Sequence, residues 1–190
     1  MGTRTIGVSI AVPEPFGSML QRRRAGFGDP QAFAIPTHVT LLPPTEVDES
    51  ALPAIEEHLA QVASFGRPFE LRLGGTDTFR PLTPVVFVKL VRGAEECTEL
   101  QERVRSGPLK RDLPFPYHPH VTVAQGVPDA ALDEAFEQLS GFTAGWPATS
   151  FALYEQGSDG VWRLEREYSF ASATVPRQPA PVDLPRGVHR

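Results

Sequence analysis

The pattern of apolar and polar residues along this chain predicts a series of strands and helices, and one order of these elements occurs twice. Alternating apolar residues or short β-prone apolar runs predict strands at about 4–12, 35–42, 69–73, 85–91, 118–125, 146–155 and 161–170. Apolar residues spaced by three and four positions predict helices at about 16–27, 48–64, 94–106 and 129–139. The order strand, helix, strand, helix, strand covers roughly 4–73 and again roughly 85–155, which indicates a duplicated α+β protein.

Local residues predict where some of these elements end. Pro43-Pro44 is expected to stop the strand at 35–42. Asp48 or Ser50 is a plausible N-cap of the following helix, and Gly74-Gly75 predicts a break or bulge in the next strand. We expect a single domain over 1–172, with lobes at 4–73 and 85–155 and strands at about 146–170 completing the sheets. The Pro/Arg-rich stretch 173–190 is expected to be a loosely held tail.

The same four-residue motif lies on one predicted strand of each half. His38-Val39-Thr40-Leu41 and His120-Val121-Thr122-Val123 are 82 positions apart, close to the 80 positions between the opening strands. Residues i and i+2 of a strand share a face, so each copy presents an imidazole and a hydroxyl together. One such half cannot bury its apolar sheet face alone. Two halves packed about a pseudo-two-fold axis would bring His38 and His120 face to face in a groove.

Composition limits the classes of partner and the compartment. The net charge of −5 argues against broad electrostatic coating of a nucleic acid, although 16 arginines against two lysines allow local phosphate contacts. The arginines at 22–24 are expected on a solvated helix face. Cys97 is the single cysteine, which excludes an internal disulfide, and its helix position predicts a buried filler. The apolar run 6–12 is too short for a signal peptide or a membrane span, so we expect a cytoplasmic protein.

Two imidazoles and two hydroxyls in one groove point to acid–base chemistry on a phosphate. Imidazole titrates near neutral pH, so one ring can accept a proton while the other donates one. The hydroxyls of Thr40 and Thr122 can donate hydrogen bonds to the non-bridging oxygens of a tetrahedral anion. The sequence has no serine or cysteine placed beside a base, no glycine-rich phosphate loop and no acidic two-metal cluster. We therefore expect neither a metal nor a cofactor.

The paired motifs resemble those of the two-histidine phosphoesterase superfamily. Within it, the bacterial 2′-5′ RNA ligase and cyclic phosphodiesterase group is most similar. The resemblance covers about residues 1–172 and includes the aromatic-x-Pro-His entry Tyr117-His118-Pro119-His120. It implies two lobes whose antiparallel sheets line a central cleft, with helices on the outside.

The resemblance also implies an activity and a set of site residues. The activity is metal-independent hydrolysis of a 2′,3′-cyclic phosphate or a 2′-5′ linkage, on RNA ends or small nucleotides, by a protein expected to be monomeric. His38 and His120 would serve as acid and base, and Thr40 and Thr122 would hold the phosphate. Bacterial members often carry an arginine soon after the second motif, where this chain has Val123-Ala124-Gln125-Gly126. Arg80 is our candidate substitute.

The residues beside the second motif predict where substrate is recognised. Tyr117 and His118 have no counterparts in the first copy, where Ile35 and Pro36 stand. We expect Tyr117, His118 and Phe79 to contact the base or sugar.

Three alternatives remain open at the level of sequence. His38, His118 and His120 could together ligate a metal ion and make the protein a metal hydrolase. The fold could instead serve a non-catalytic RNA or nucleotide binder, in which aromatic side chains stack bases. The same residues could also catalyse ligation, which is the reverse of hydrolysis.

Overall fold

The computed structural model describes residues 2–171, so the tail predicted at 173–190 lies outside the described residues. Within 2–171 the chain forms eight strands and four α-helices. In chain order they are β1 (Thr3–Ala11), α1 (Phe16–Gly26), β2 (His38–Asp48), α2 (Leu52–Phe65), β3 (Phe69–Thr78), β4 (Val85–Arg92), α3 (Ala94–Val104), β5 (His120–Gln125), α4 (Asp129–Gln138), β6 (Thr143–Ala148), β7 (Ser150–Gln156) and β8 (Trp162–Ser169). None of the described helices is both long enough and apolar enough to cross a membrane.

The strands form two antiparallel sheets of four. The first has the order β2-β1-β7-β8 and the second β5-β4-β3-β6. The predicted α+β fold with antiparallel sheets is confirmed. However, β3 from the first sequence half lies in the second sheet between β4 and β6, and β7 lies in the first sheet between β1 and β8. The sheets therefore do not coincide with the sequence halves 4–73 and 85–155.

The helices connect the two sheets to each other. α1 follows β1 in the chain but packs against β5, and α3 follows β4 but packs against β2. α2 contacts α3 and β8, while α4 contacts β3, β4 and β5. The two strands that carry the His-Val-Thr motifs, β2 and β5, are therefore each packed against a helix that follows a strand of the other sheet.

Alternating aliphatic residues of the central strands build the core. Ile6, Val8 and Ile10 of β1 are buried, as are the side chains of Val86 and Val88 in β4. The face of α2 predicted to be apolar is also buried, at Ile55, Leu59 and Val62. Burial of this stripe is the main stabilising contribution that α2 makes, at about 1.5–3 kcal/mol per aliphatic side chain.

Cys97 lies fully in the core, as its helix position predicts. Its burial raises the pKa of the thiol to about 12. The thiol therefore stays protonated at neutral pH, which agrees with the interpretation of Cys97 as a packing residue.

Two predicted boundaries are wrong because sheet position overrides local signals. β2 does not stop at Pro43-Pro44 but continues to Asp48. It is an edge strand, and its register against β1 shifts where the prolines stand, between the pairs Val8–Leu42 and Ile6–Thr45. A proline is tolerated at an edge or a bulge because its missing N–H leaves no ladder partner unsatisfied.

The second wrong boundary is the single strand predicted at 146–155. The chain changes sheet at Thr149, so that β6 pairs with β3 while β7 pairs with β1 and β8. The start of α2 also differs from the prediction. A 3₁₀ turn at Glu49–Ala51 precedes α2, which begins without a side-chain cap from Asp48 or Ser50. The bulge predicted at Gly74-Gly75 is confirmed by a register shift and by φ of +75° at Gly75.

Candidate active site

The two His-Val-Thr motifs lie on edge strands that contact each other. β2 is the edge of the first sheet and β5 the edge of the second, and the two strands meet. Val39 and Val121 are completely buried, whereas the histidines and threonines of both motifs are half-buried on the opposite strand faces. The predicted alternation is confirmed, and two imidazole–hydroxyl pairs flank one seam between the sheets.

Each motif borders a cavity of different size. A cavity of about 610 Å³ lies beside His120 and Thr122. Its walls are mainly apolar and include Pro43 of β2, so the cavity spans both sheets. The other lining residues are Phe79, Leu82, Thr83, Val85, Phe115, Pro116, His118 and Gln125. The pocket at His38 and Thr40 holds only about 40 Å³. The larger open volume of the site therefore lies on the side of the second motif.

Both imidazoles are fixed by the same local hydrogen bond. Nδ1 of His38 lies 2.6 Å from the carbonyl oxygen of Pro36, and Nδ1 of His120 lies 2.6 Å from that of His118. A carbonyl oxygen only accepts, so each Nδ1 must carry the proton and donate it. In a neutral ring Nε2 then has a free lone pair. The duplicated motif thus orients two rings in the same tautomer, with Nε2 left for chemistry.

Burial lowers the pKa of both histidines. The pKa of His38 falls to about 4, mainly through desolvation, with smaller contributions from the positive charges of Arg24 and His120. The pKa of His120 is also lowered, mainly by desolvation and further by the charge of His118. In each case the bond to the backbone carbonyl opposes the shift. At neutral pH both rings of the free protein are therefore neutral.

Aromatic side chains clamp the second imidazole. The ring of Phe79 stands edge-on to His120, with centroids 4.9 Å apart, and Phe87 lies 5.2 Å from the same ring. Phe79 also contacts His118 at 5.5 Å and lines the large cavity. Such a wall restricts the rotation of His120 and accounts for much of its desolvation.

Tyr117 forms a hydrogen bond with another part of the protein. It is partly buried against the core, and its hydroxyl donates a hydrogen bond of 2.7 Å to the carbonyl oxygen of Thr40. It is not among the described residues that line the large cavity. Tyr117 therefore joins the segment before β5 to the middle of β2, and its contact with substrate stays a prediction.

Arg80 is also engaged in contacts within the protein. Its Nη1 donates to Asp133 of α4 at 2.8 Å, and its Nε lies 3.3 Å from Oγ1 of Thr78. Within residues 2–171 it is also absent from the lining of the cavity beside His120. A role in phosphate binding would require Arg80 to leave Asp133.

His118 is exposed at the rim of the large cavity, next to Phe79. It thus keeps the position expected for a substrate contact. Among residues 2–171, no three His, Cys, Asp or Glu side chains are grouped as metal ligands would be. The arrangement of three histidines around one ion, considered from sequence, is not assembled here.

One pair beside the seam was missed in the sequence. Arg24 was expected on a solvated helix face, but it is buried and forms an ion pair of 2.6 Å with the fully buried carboxylate of Asp29. Asp29 also accepts the backbone N–H of Gln125 at the end of β5. The available signal was the spacing, because Arg24 lies four residues after the buried Leu20 and so shares its helix face.

This chain is similar in sequence to a known family and to several known proteins. Residues 12–160 match the family described as the 2′-5′ RNA ligase superfamily. A protein of Halalkalibacterium halodurans named "Putative phosphoesterase BH1439" is 32% identical over 133 residues, covering 70% of this chain and 75% of that protein. A phosphoesterase of the same description from Bacillus thuringiensis is 30% identical over 142 residues, covering 74% of this chain and 82% of the relative.

Solved structures agree at the level of the fold. LigT of E. coli, crystallised with 3′-AMP, superposes with a TM-score of 0.65 at 16% identity, covering 89% of this chain and 99% of LigT. The protein TT0787 of Thermus thermophilus gives a TM-score of 0.64 at 24% identity, with the same coverage of each chain. With its duplicated motif strands and these sequence matches, the chain belongs to the 2′-5′ RNA ligase superfamily, the two-histidine phosphoesterases.

Proposed function

We propose that this phosphoesterase hydrolyses 2′,3′-cyclic phosphates or 2′-5′ phosphodiester bonds, on RNA ends or small nucleotides, without a metal ion. The observation that carries the proposal is the matched pair of Nδ1–carbonyl bonds at His38 and His120. They leave Nε2 of each ring free of the backbone on strands that contact each other, so that one Nε2 can act as general base and the other, once protonated, as general acid at one phosphorus.

The chemistry follows from this pair. Nε2 of one neutral imidazole takes a proton from water as the water oxygen attacks phosphorus. The P–O bond to the leaving oxygen breaks, which is the 2′ or 3′ oxygen of a cyclic phosphate and the 2′ or 5′ oxygen of a 2′-5′ linkage. The protonated Nε2 of the other imidazole gives its proton to that oxygen. The product carries a phosphomonoester and a free hydroxyl. Thr40 and Thr122 donate hydrogen bonds to the non-bridging oxygens, whose charge grows as the bond breaks.

Binding of the phosphate should also favour protonation of one of the two histidines. Both histidines have lowered pKa values in the free protein. An anionic phosphate between the rings favours the charged imidazolium, so binding raises the pKa of the ring that must donate. Substrate would thus help to generate the general acid that it needs.

The large cavity supports a nucleotide as the substrate class. It is about 610 Å³ in volume, and Phe79 and Phe115 supply aromatic faces on its walls. The structurally similar E. coli LigT has been crystallised with 3′-AMP, NADP+ and ATP. We infer that the base of a nucleotide lies against Phe79 and Phe115, with His118 at the sugar. The single cysteine is compatible with the cytoplasmic location that we propose.

Hydrolysis of a nucleoside 2′,3′-cyclic phosphate in excess EDTA tests this proposal. We expect turnover to persist in EDTA, and His38→Ala and His120→Ala each to lower kcat by roughly 10²- to 10⁴-fold. His58→Ala is the matched control, because His58 contacts the carbonyl oxygen of Val104 outside the cleft. Its kcat should stay near that of the unmodified protein.

Three results would contradict the proposal. Activity that EDTA removes and zinc restores would make the protein a metal hydrolase. Near-normal rates in both active-site variants would exclude the paired histidines. Binding of nucleotides without cleavage of any cyclic or 2′-5′-linked substrate would make it a binding protein.

A further inference from the structure

The second motif is followed by a segment without a positive charge. β5 ends in Val123-Ala124-Gln125, and the cavity beside His120 has no arginine or lysine among its described lining residues. The phosphate would gain one charged hydrogen bond from the imidazolium that donates the proton, and the two threonine hydroxyls add only neutral donors. A fixed arginine nearby would supply a second charged donor, which is stronger than a hydroxyl.

Arg24, on α1, is joined to the end of this strand through Asp29, although it is not itself among the described residues that line either cavity. One carboxylate oxygen of Asp29, Oδ2, accepts from Nε of Arg24 at 2.6 Å and from the backbone N–H of Gln125 at 2.9 Å. The guanidinium and the end of β5 are therefore bound to the same atom. Gln125 lines the large cavity together with His120 and Thr122. Asp29 thus joins a cation to the end of a strand whose own last side chain is uncharged.

The same guanidinium is close to the first motif. Its positive charge is one of the causes that lower the pKa of His38. The helix that carries it, α1, packs against β5. Arg24 therefore lies near the seam and acts on both motif strands.

The contact with Asp29 does not involve the two terminal nitrogens of the Arg24 guanidinium. Only Nε is bonded to the carboxylate, and Nη1 and Nη2 have no hydrogen-bond partner among residues 2–171. In that range Tyr168 Oη is the one buried side-chain polar atom that lacks a partner, so the Nη atoms of Arg24 keep contact with solvent. The other oxygen of Asp29, Oδ1, accepts the backbone N–H of Gln31 at 2.8 Å, so the carboxylate offers Arg24 a single oxygen. Here two donors remain for a second anion.

We propose that Arg24, held by Asp29, is the phosphate-binding arginine of this cleft. It would donate from Nη1 and Nη2 to a non-bridging oxygen of the phosphate that lies between His38 and His120. This inference rests on the proposed function of the cleft and assigns its anion ligand. It takes the place of the role predicted for Arg80, whose guanidinium is bound to Asp133.

Binding of adenosine 3′-monophosphate, compared with adenosine, tests the assignment without depending on turnover. We expect Arg24→Gln to weaken the monophosphate by roughly 10- to 100-fold, the effect of losing a charged hydrogen bond, and to leave adenosine unchanged. Arg22→Gln removes the same charge from an exposed position of the same helix and should change neither affinity. Calorimetry or ligand-detected NMR gives both dissociation constants.

Arg24→Lys keeps the test decisive if the glutamine variant does not fold. A single ammonium group cannot bind Asp29 and fork onto a phosphate at once, so the monophosphate should bind several-fold more weakly while the protein stays folded. A monophosphate affinity within about twofold of the unmodified protein in these variants would overturn the assignment. A parallel loss of both ligands would also overturn it, because that pattern marks structural damage. Failure of the unmodified protein to prefer the monophosphate over adenosine would overturn it as well.

Different experimental outcomes would contradict this inference and the proposed function. A protein that binds the monophosphate through Arg24 but cleaves no cyclic phosphate would contradict the hydrolase and leave the anion site. A protein that hydrolyses cyclic phosphates with unchanged KM and kcat after Arg24→Gln would contradict only the anion site.

Discussion

At the scale of residues, the two halves of the site share a hydrogen bond and differ in their surroundings. The positions paired with the motif threonines are Ser9 opposite Thr40 and Phe87 opposite Thr122. A small polar residue therefore stands where the second copy has an aromatic ring. The pKa of His38 falls to about 4, so His38 is the better candidate for the ring that stays unprotonated and acts as base.

The lowered pKa values predict an acid-shifted pH dependence. Because the free protein needs one neutral and one protonated imidazole, kcat/KM should follow a bell whose limbs both lie below the ordinary histidine value of 6.5. It should fall as pH drops toward 4, where His38 gains its proton, and fall again as pH rises and His120 loses its own. The optimum of kcat should lie at higher pH, since bound phosphate stabilises imidazolium. A kcat/KM that keeps rising to about pH 8 would contradict these protonation states.

Substitution of Arg80 is expected to have only a small effect on activity and stability. Its guanidinium is committed to Asp133, an ion pair with one well-exposed partner. Arg80→Ala should therefore leave kcat/KM within about twofold and change the free energy of unfolding by about 0–1 kcal/mol. Steady-state kinetics and urea denaturation measure the two effects. A tenfold loss in kcat/KM would restore the role in phosphate binding that the sequence predicts.

At the scale of elements, the site depends on two edge strands held in place by groups from elsewhere in the chain. β2 and β5 gain ladder bonds on one side only, because each ends its sheet. α3 packs on β2 and α1 packs on β5. The hydroxyl of Tyr117 adds a bond from the segment before β5 to β2. These crossing contacts fix the separation of the two motifs.

Tyr117→Phe tests this connection. The variant keeps the ring and loses one part-buried hydrogen bond, leaving the carbonyl oxygen of Thr40 without that donor. We expect the free energy of unfolding to fall by about 1 kcal/mol, with KM nearly unchanged. Chemical denaturation and steady-state kinetics report the two quantities. Unaltered stability together with a raised KM would instead place Tyr117 in contact with substrate.

At the scale of the whole molecule, the exchange of strands makes the two halves one folding unit. β3 needs β4 and β6 as partners, and β1 needs β7, so a cut between the halves separates paired strands in both sheets. We propose on this basis that the described residues form a single domain; the predicted tail lies outside them.

Separated halves should consequently not fold. A fragment 2–80 leaves β3 without its pairing partners, and a fragment 81–171 leaves β7 and β8 without β1. Each exposes an apolar sheet edge and face that only the other covers. We expect collapsed amide dispersion in the NMR spectrum of either fragment and recovery when they are mixed. A well-dispersed spectrum from 2–80 alone would show that the sequence repeat is an independent unit.

The sequence by itself determined most of the elements, the family and the two motifs. Strand and helix periods depend on local side-chain direction, so Val39 and Val121 could be assigned to the core and the histidines to the opposite face. The duplication made their partnership predictable, since two equivalent strands pack about one axis. Local turn signals were sufficient at Gly74-Gly75, where a positive φ is needed.

Only the tertiary structure decided which side chains surround the motifs. Long-range pairing leaves no period in the sequence, so neither the change of sheet at Thr149 nor the continuation of β2 through Pro43-Pro44 could be predicted. The arginines show the same limit. Charge and proximity in sequence favoured Arg80, but Asp133 holds it, while Arg24 is brought to the seam by the packing of α1 on β5. A charge is placed by its folded partners, and those lie far away along the chain.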